Sequence, residues 1–215
     1  METSTEASVL EKVDATFKIE QGGTWEEWEV LEFRIKEVLG APYFGDVVIA
    51  SKSRPADFSK WAGKSCVLVL TRGKDQKRLF KGLAMGADRL EAGEGYRVAR
   101  VELGAALLAL LDGERTRVFE NRTVPEIIEE VLKEGLQQHD RKVRMSLGRL
   151  FEPRESCVQW RESDMSFVQR LMAEEGIACF FDQGEHETND KETVVVVDSN
   201  HAYVEVETMG GSEVA

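Results

Sequence analysis

Over residues 13–103 the apolar residues come in short runs, many of them alternating with polar residues, and glycines punctuate the runs. Val13, Ala15, Phe17 and Ile19 alternate with polar neighbours, which reads as a half-buried strand. Gln21-Gly22-Gly23 then turns the chain. Runs at 47–50, 66–70, 78–83 and 96–103 read as further strands, with turns at Gly40-Ala41-Pro42, at 71–75 around Gly73, and at Gly93-Glu94-Gly95. In the last run Tyr96 and Val98 are expected to face inward, with Val101 a further candidate. Short strands between glycine turns at this spacing predict a closed or nearly closed β-barrel.

One stretch, 25–39, fits two templates. As a helix it gathers Trp25, Trp28, Leu31, Ile35, Val38 and Leu39 on one face but leaves Val30 and Phe33 outside. As a strand it aligns Trp28 and Val30, then shifts phase by one residue to Leu31, Phe33 and Ile35. Such a shift is what a β-bulge produces. The strand leaves fewer large apolar residues exposed.

After Gly104 the pattern changes. The Ala/Leu run at 105–111 is too short to span a membrane and reads as one or two helical turns closing the barrel. Thr123-Val124-Pro125-Glu126 is a capping box with proline in the first turn. Ile127, Ile128, Val131 and Leu132 form an apolar stripe, and Gly135 fits the stop. A second helix starts near Ser163, with Phe167, Val168, Leu171 and Met172 as its stripe and Gly176 as its end. Strands at 177–181 and 194–197 are expected to pair across the polar loop 182–192. The fold class is α+β: a β-barrel over 1–111, then a small α+β domain over 112–215 with two helices on a short sheet.

Charge limits the partners. The net charge is −12, which repels phosphate backbones and anionic membrane surfaces, so neither nucleic acid nor membrane insertion is expected. Residues 51–111 are nonetheless basic, with 12 Lys/Arg against 6 Asp/Glu. The flanking segments are acidic, an asymmetry that either steers docking or marks ordinary solvated faces. Cys66, Cys157 and Cys179 sit in or beside apolar runs without a C-x-x-C pair, as reduced buried thiols of a cytoplasmic protein do. Residues 1–16 carry Glu2, Glu6, Glu11 and Asp14 and lack the apolar core of a signal peptide. Residues 1–8 read as a frayed end, and Gly210-Gly211-Ser212 as the start of a linker.

Reactive chemistry has few candidates. Gly63-Lys64-Ser65 resembles the end of a phosphate-binding loop, but Phe58 stands where the first glycine belongs and a strand-type run follows. Asp182, His186, Asp198 and His201 could converge across a hairpin on a metal ion, yet no two have ligand-type spacing, and His139 stands apart. Glu162-Ser163-Asp164 offers carboxylates around a hydroxyl, which at a helix start serve as cap and dipole partner. No catalytic, cofactor-binding or metal-binding residue is assigned, and no enzyme activity or cofactor is expected.

The run Cys157-Val158-Gln159-Trp160-Arg161-Glu162-Ser163-Asp164, continued by Phe167, Arg170-Leu171 and Glu174-Glu175-Gly176-Ile177, resembles a signature of the VgrG family. These are the spike proteins of type VI secretion systems, similar to the baseplate hubs of contractile-tail phages. The family pattern is close to V-Q-Y-x-E-S-D-x-x-F-x-x-R-L-x-x-E-E-G-I; Trp160 replaces the usual tyrosine, and Cys179 falls where tyrosine is common. Arg117-Val118-Phe119-Glu120-Asn121-Arg122-Thr123-Val124-Pro125-Glu126-Ile127-Ile128 is similar to a second motif of the family, and Glu37-Val38-Leu39-Gly40-Ala41-Pro42-Tyr43 to a third. The third favours the strand reading of 25–39. Residues 96–103 resemble a fourth, with Gly104 in place of a proline.

The resemblance implies the hub part of a contractile-injection spike: a tube-like barrel with an α+β insertion, ending before the second barrel and the needle. It further implies self-association as a trimer, an Hcp-like hexameric tube protein as partner, and baseplate components or a separate C-terminal spike half as others. Localisation would be the bacterial cytoplasm during assembly, with export alongside the spike and without a signal peptide. A phage or prophage tail hub is the alternative, and an enzyme or metal-binding effector on the same fold is the remaining one.

Overall fold

The structure, a computed structural model, describes residues 13–52, 56–73, 76–93, 95–189 and 191–203. The end expected to fray at 1–8 and the linker expected at Gly210-Gly211-Ser212 lie outside these residues.

Six strands form the first part: β1 (Val13–Gln21), β2 (Thr24–Val38), β3 (Ala41–Ser51), β4 (Ser65–Arg72), β5 (Gln76–Leu90) and β6 (Arg97–Gly104). They close into a barrel in the order β1-β2-β3-β6-β5-β4, with β4 returning to β1 and every neighbouring pair antiparallel. Alternate residues point inward, so Phe17, Ile19, Val47, Ile49, Leu68, Phe80 and Leu103 fill the interior. A short 3-10 turn, Phe58–Lys60, adds Phe58, and Trp61 follows it. Trp28 meets Phe58 at 5.7 Å and Trp61 at 5.3 Å between ring centroids, in the tilted and edge-on packings that aromatic quadrupoles favour.

The ambiguous stretch is strand β2, and its register slips between Val30 and Glu32. Leu31 is the extra residue. Val30 pairs with Ile49 and Phe33 with Val47, so the bulge puts both on the same side of the strand despite their odd separation; Val30 packs against the barrel core, while Phe33 is exposed. Two expectations are corrected. In β6 the inward residues are Ala99, Val101 and Leu103, while Tyr96 is exposed and Val98 half-buried. The strand follows the large barrel-facing partners Val47 and Ile49, and a small alanine marks the inward phase where the bulky Tyr96 suggested the opposite one. At the β2–β3 connection the turn is Leu39-Gly40, with Gly40 at φ 75°, and Pro42 already lies in β3.

The second part begins with a 3-10 turn, Ala106–Leu111. Then come β7 (Arg115–Arg122), α1 (Val124–Leu136), β8 (Lys142–Ser146), β9 (Arg154–Glu162), α2 (Asp164–Glu175), β10 (Ala178–Asp182) and β11 (Thr193–Val197). β10 pairs antiparallel with β11 as expected, and β8 adds to β11 in parallel. β7 and β9 form a separate two-stranded ribbon. Both helices bury their stripes in one core with Val194, Val196 and Cys179 of the three-stranded sheet. Ala106, Leu107 and Leu110 belong to this core as well, so the Ala/Leu run serves the helical layer, while Ala105 reaches the barrel core.

Thr123 caps α1 through a complete capping box with Glu126, and Ser163 caps α2 by accepting the Ser166 N–H at 3.1 Å. Gly176 ends α2 in the left-handed region at φ 65°. Gly135 does not end α1. It lies inside the helix, where a Cβ would stand 3.0 Å from Leu110, so its missing side chain lets Leu110 pack close. The chain turns instead at Asp140, at φ 53°.

Candidate functional site

The residues singled out from sequence are spread over the fold. Asp182, at the end of β10, pairs with Arg144 at 3.1 Å. Asp198 accepts the backbone N–H groups of Gly148 and Arg149 at 3.0 Å, and those bonds hold its carboxyl below the usual range. His201 lies against the Ser199 hydroxyl at 3.4 Å, and His186 sits in the β10–β11 loop. Among the described residues no three His, Cys, Asp or Glu side chains gather as a ligand set. Gly63-Lys64-Ser65 is a turn entering β4, with the Gly63 N–H given to the Ala84 carbonyl at 2.8 Å. Asp164 is buried at the start of α2, where Arg117 and Gln159 donate to it, and Glu162 accepts from Arg170 at 2.6 Å. Cys66, Cys157 and Cys179 are buried free thiols. Burial pushes all three up in pKa, that of Cys179 to about 11, so none is a ready thiolate.

Two residues that sequence reasoning missed hold the barrel to the α+β layer. Arg141 follows the left-handed Asp140, and its side chain is 1% exposed. Its Nε donates to Glu192 at 2.6 Å, Nη1 to the His139 carbonyl at 2.6 Å and to Ser65 Oγ at 3.3 Å, and Nη2 to the Gly82 carbonyl at 3.0 Å. Glu192 is 0% exposed at its side chain and also accepts the Ala106 N–H at 2.9 Å. One guanidinium thus ties β4 and β5 of the barrel to the start of β11. Nothing in the sequence separates these two charges from their polar surroundings, except that Glu192 directly precedes strand β11, whose run 194–197 is apolar.

The β10–β11 loop reinforces the junction. Glu187 bridges Lys18 of β1 and Lys77 of β5. Gln183 accepts the Lys81 N–H at 2.8 Å, and Tyr43 packs edge-on against Phe181 at 5.1 Å.

Among the described residues several large apolar side chains are exposed, and two groups of them border grooves. Val38 and Leu39 project at the β2–β3 tip and border a groove of about 690 Å³ that also touches Phe180 of β10. The ribbon turns Val118, Val158 and Trp160 outward, Trp160 being 68% exposed, while Phe119 and Cys157 face the core. A second groove of about 510 Å³ follows β7 from Arg117 to Arg122 beside Glu130 of α1. Surfaces of this kind fit docking better than catalysis.

Comparison with known proteins agrees with that chemistry. The family described as the phage tail baseplate hub (GPD) matches residues 36–215. The type VI secretion system spike protein VgrG4b of Pseudomonas aeruginosa is 33% identical over 165 residues, covering 77% of this chain and 20% of VgrG4b. The actin cross-linking toxin VgrG1 of Vibrio cholerae is 30% identical over 154 residues, 70% of this chain and 14% of the toxin. The chain therefore spans a fifth or less of the length of these relatives. In fold it is similar to the E. coli c3393 protein, a component of the type VI secretion system, with a TM-score of 0.68 at 20% identity over 93% of this chain and 50% of that one. It is also similar to the 43 kDa tail protein of prophage MuSo2 from Shewanella oneidensis, with a TM-score of 0.56 at 15% identity over 85% of this chain and 53% of that one.

Proposed function

The chain belongs to the phage tail baseplate hub family, and from that premise we propose that it is a structural hub part of a contractile injection machine, of the VgrG type in type VI secretion. The family match over residues 36–215 carries this reading. The geometry accords with it, since the barrel is tied to its neighbouring layer through a buried ion pair. The division into a tube-like barrel over 1–111 and an α+β unit over 112–215 belongs to the proposal. So does the absence of enzyme activity: the toxin name of the Vibrio relative describes that whole protein, of which only 14% is matched.

In this reading copies of the chain associate, as a trimer in the full-length setting, and the ring of barrels seats on a hexameric tube protein of the Hcp kind. Assembly takes place in the bacterial cytoplasm, and the part leaves with the spike. The test is co-purification of the chain with the tube protein of its own host, followed by electron microscopy of the complex. Barrel density stacked coaxially on a tube ring is the expected result. A chain that never associates with the tube, alone or with other baseplate proteins, overturns the reading. A prophage tail hub is the second reading, favoured by the fold shared with the Shewanella tail protein; association with a phage tail tube instead of a secretion tube would select it.

A further inference from the structure

We propose that the free edge of β7 is a docking site for an extended strand from the hub polypeptide beyond this region, which would turn the ribbon into a wider sheet. The source of the strand rests on the hub reading above; the site rests on the ribbon itself.

One face of the ribbon is anchored in the helical core by Phe119 and Cys157. Among the described residues β7 and β9 pair only with each other, which leaves each with a free edge. The two edges differ. On the β9 side Arg170 of α2 already donates to the Val158 carbonyl at 3.1 Å. On the β7 side, among the described residues, no side chain or strand bonds the outward backbone groups, and the groove of about 510 Å³ runs along that edge. In an antiparallel pair alternate residues turn their N–H and C=O away from the partner, so β7 presents a ready row of donors and acceptors.

The chemistry of the groove selects an uncharged extended segment. Arg117 gives its guanidinium to Glu134 and Asp164, and Arg122 gives its own to Glu130. These guanidinium groups are engaged by the chain's own helices, while Glu120 on the same groove adds a negative charge that disfavours an acidic segment, so backbone groups and the apolar outward face are the main recognition elements. That face carries the cross-strand pair Val118–Val158, with Trp160 opposite Thr116. β-Branched and aromatic residues are what a strand packs beside. Arg161 is held at φ 48° as the extra residue of a bulge, and the bulge keeps Trp160 outward while Glu162 turns in toward Arg170. The relatives supply the source, since the matched part is only 20% of VgrG4b. This is strand addition, in which main-chain bonds give affinity and side-chain alternation gives specificity.

The test uses the full chain and overlapping synthetic peptides that cover VgrG4b beyond the matched region. The expected result is that at least one peptide of alternating apolar pattern binds, slows amide exchange across 115–122, and shifts the fluorescence of Trp160. Trp160→Ser and Val118→Thr should each weaken that binding about tenfold with unchanged circular dichroism; Leu39→Ser, on the other groove, should leave it unaltered. The inference is overturned if no peptide binds, if protection falls outside β7, if both ribbon variants bind as well as the parent, or if the Trp160 face instead drives concentration-dependent self-association. Tube binding is read separately, so failure of the hub reading and failure of the β7 site give different results.

Discussion

Replacing Arg141 with methionine tests whether the barrel and the α+β layer act as one body. The methionine roughly keeps the side-chain volume but leaves Glu192 at 0% exposure with backbone donors, its own N–H and that of Ala106, in place of the guanidinium, and takes Arg141 from the Gly82 and His139 carbonyls. Breaking a buried pair from one side costs about 3–5 kcal/mol, because the surviving charge is neither solvated nor compensated. For a domain of this length that is a fall in melting temperature on the order of ten degrees. Urea unfolding of the parent, Arg141→Met, Glu192→Met and the double variant gives the coupling directly. The double variant should recover most of the loss, since an apolar pair of similar volume has no charge to strand.

The pH dependence has a defined sign. Burial raises the Glu192 carboxyl above its ordinary value even against Arg141, so the folded state binds that proton more readily than the unfolded chain. This group's contribution is complete below the ordinary carboxylate range and is lost as pH climbs through the raised value. Without Arg141 the carboxyl rises further and is kept neutral over a wider range, so the deficit of Arg141→Met should shrink as the pH falls. A deficit under about 1 kcal/mol at neutral pH, or strictly additive single variants, would refute the buried-pair account.

Other tests are simpler. Gly82→Ala should destabilise by on the order of 3 kcal/mol in the same urea assay, because a Cβ there would stand 2.1 Å from the backbone oxygen of Gly104, which cannot rotate away. Thr123→Ala removes the capping box of α1 and should cost about 1 kcal/mol by thermal melts; an unchanged melt would mean that tertiary packing alone fixes the helix start. All three cysteines should resist iodoacetamide in the native chain at mildly alkaline pH and react once unfolded, and rapid native labelling of any one would contradict its burial.

Much of the fold was legible because local rules and tertiary packing agree in it. The capping box at Thr123, the Gly176 stop and the phase shift at Val30–Leu31 are local signals, and each appears in the structure. The strands β7, β8 and β9 gave weaker local signals. Their charged residues, Arg115, Arg117, Arg122, Lys142, Arg144 and Arg154, break the apolar alternation, and in the ribbon Val118, Val158 and Trp160 face outward. Gly135 misled because a glycine needed for close packing and a glycine needed for a turn look alike in sequence. The Arg141–Glu192 pair was invisible for another reason. Its partners are 51 residues apart, and their burial is decided by surfaces contributed by β4, β5 and the 106–111 turn.

The position of β6 in the barrel has a consequence for how the protein is made. β6 is the last of the six strands to leave the ribosome, yet it lies between β3 and β5 in the ring. Until residue 104 has emerged, β1 to β5 can pair in the order β3-β2-β1-β4-β5, which leaves β3 and β5 each with an unpaired edge. Closure is therefore a single late event that depends on a distant segment, and pairings of that kind are slow and leave nascent chains prone to sticking. Translation that pauses shortly before Arg97 should yield chains captured by chaperones, whereas a pause placed after the 106–111 turn has cleared the ribosome exit should yield a shut ring.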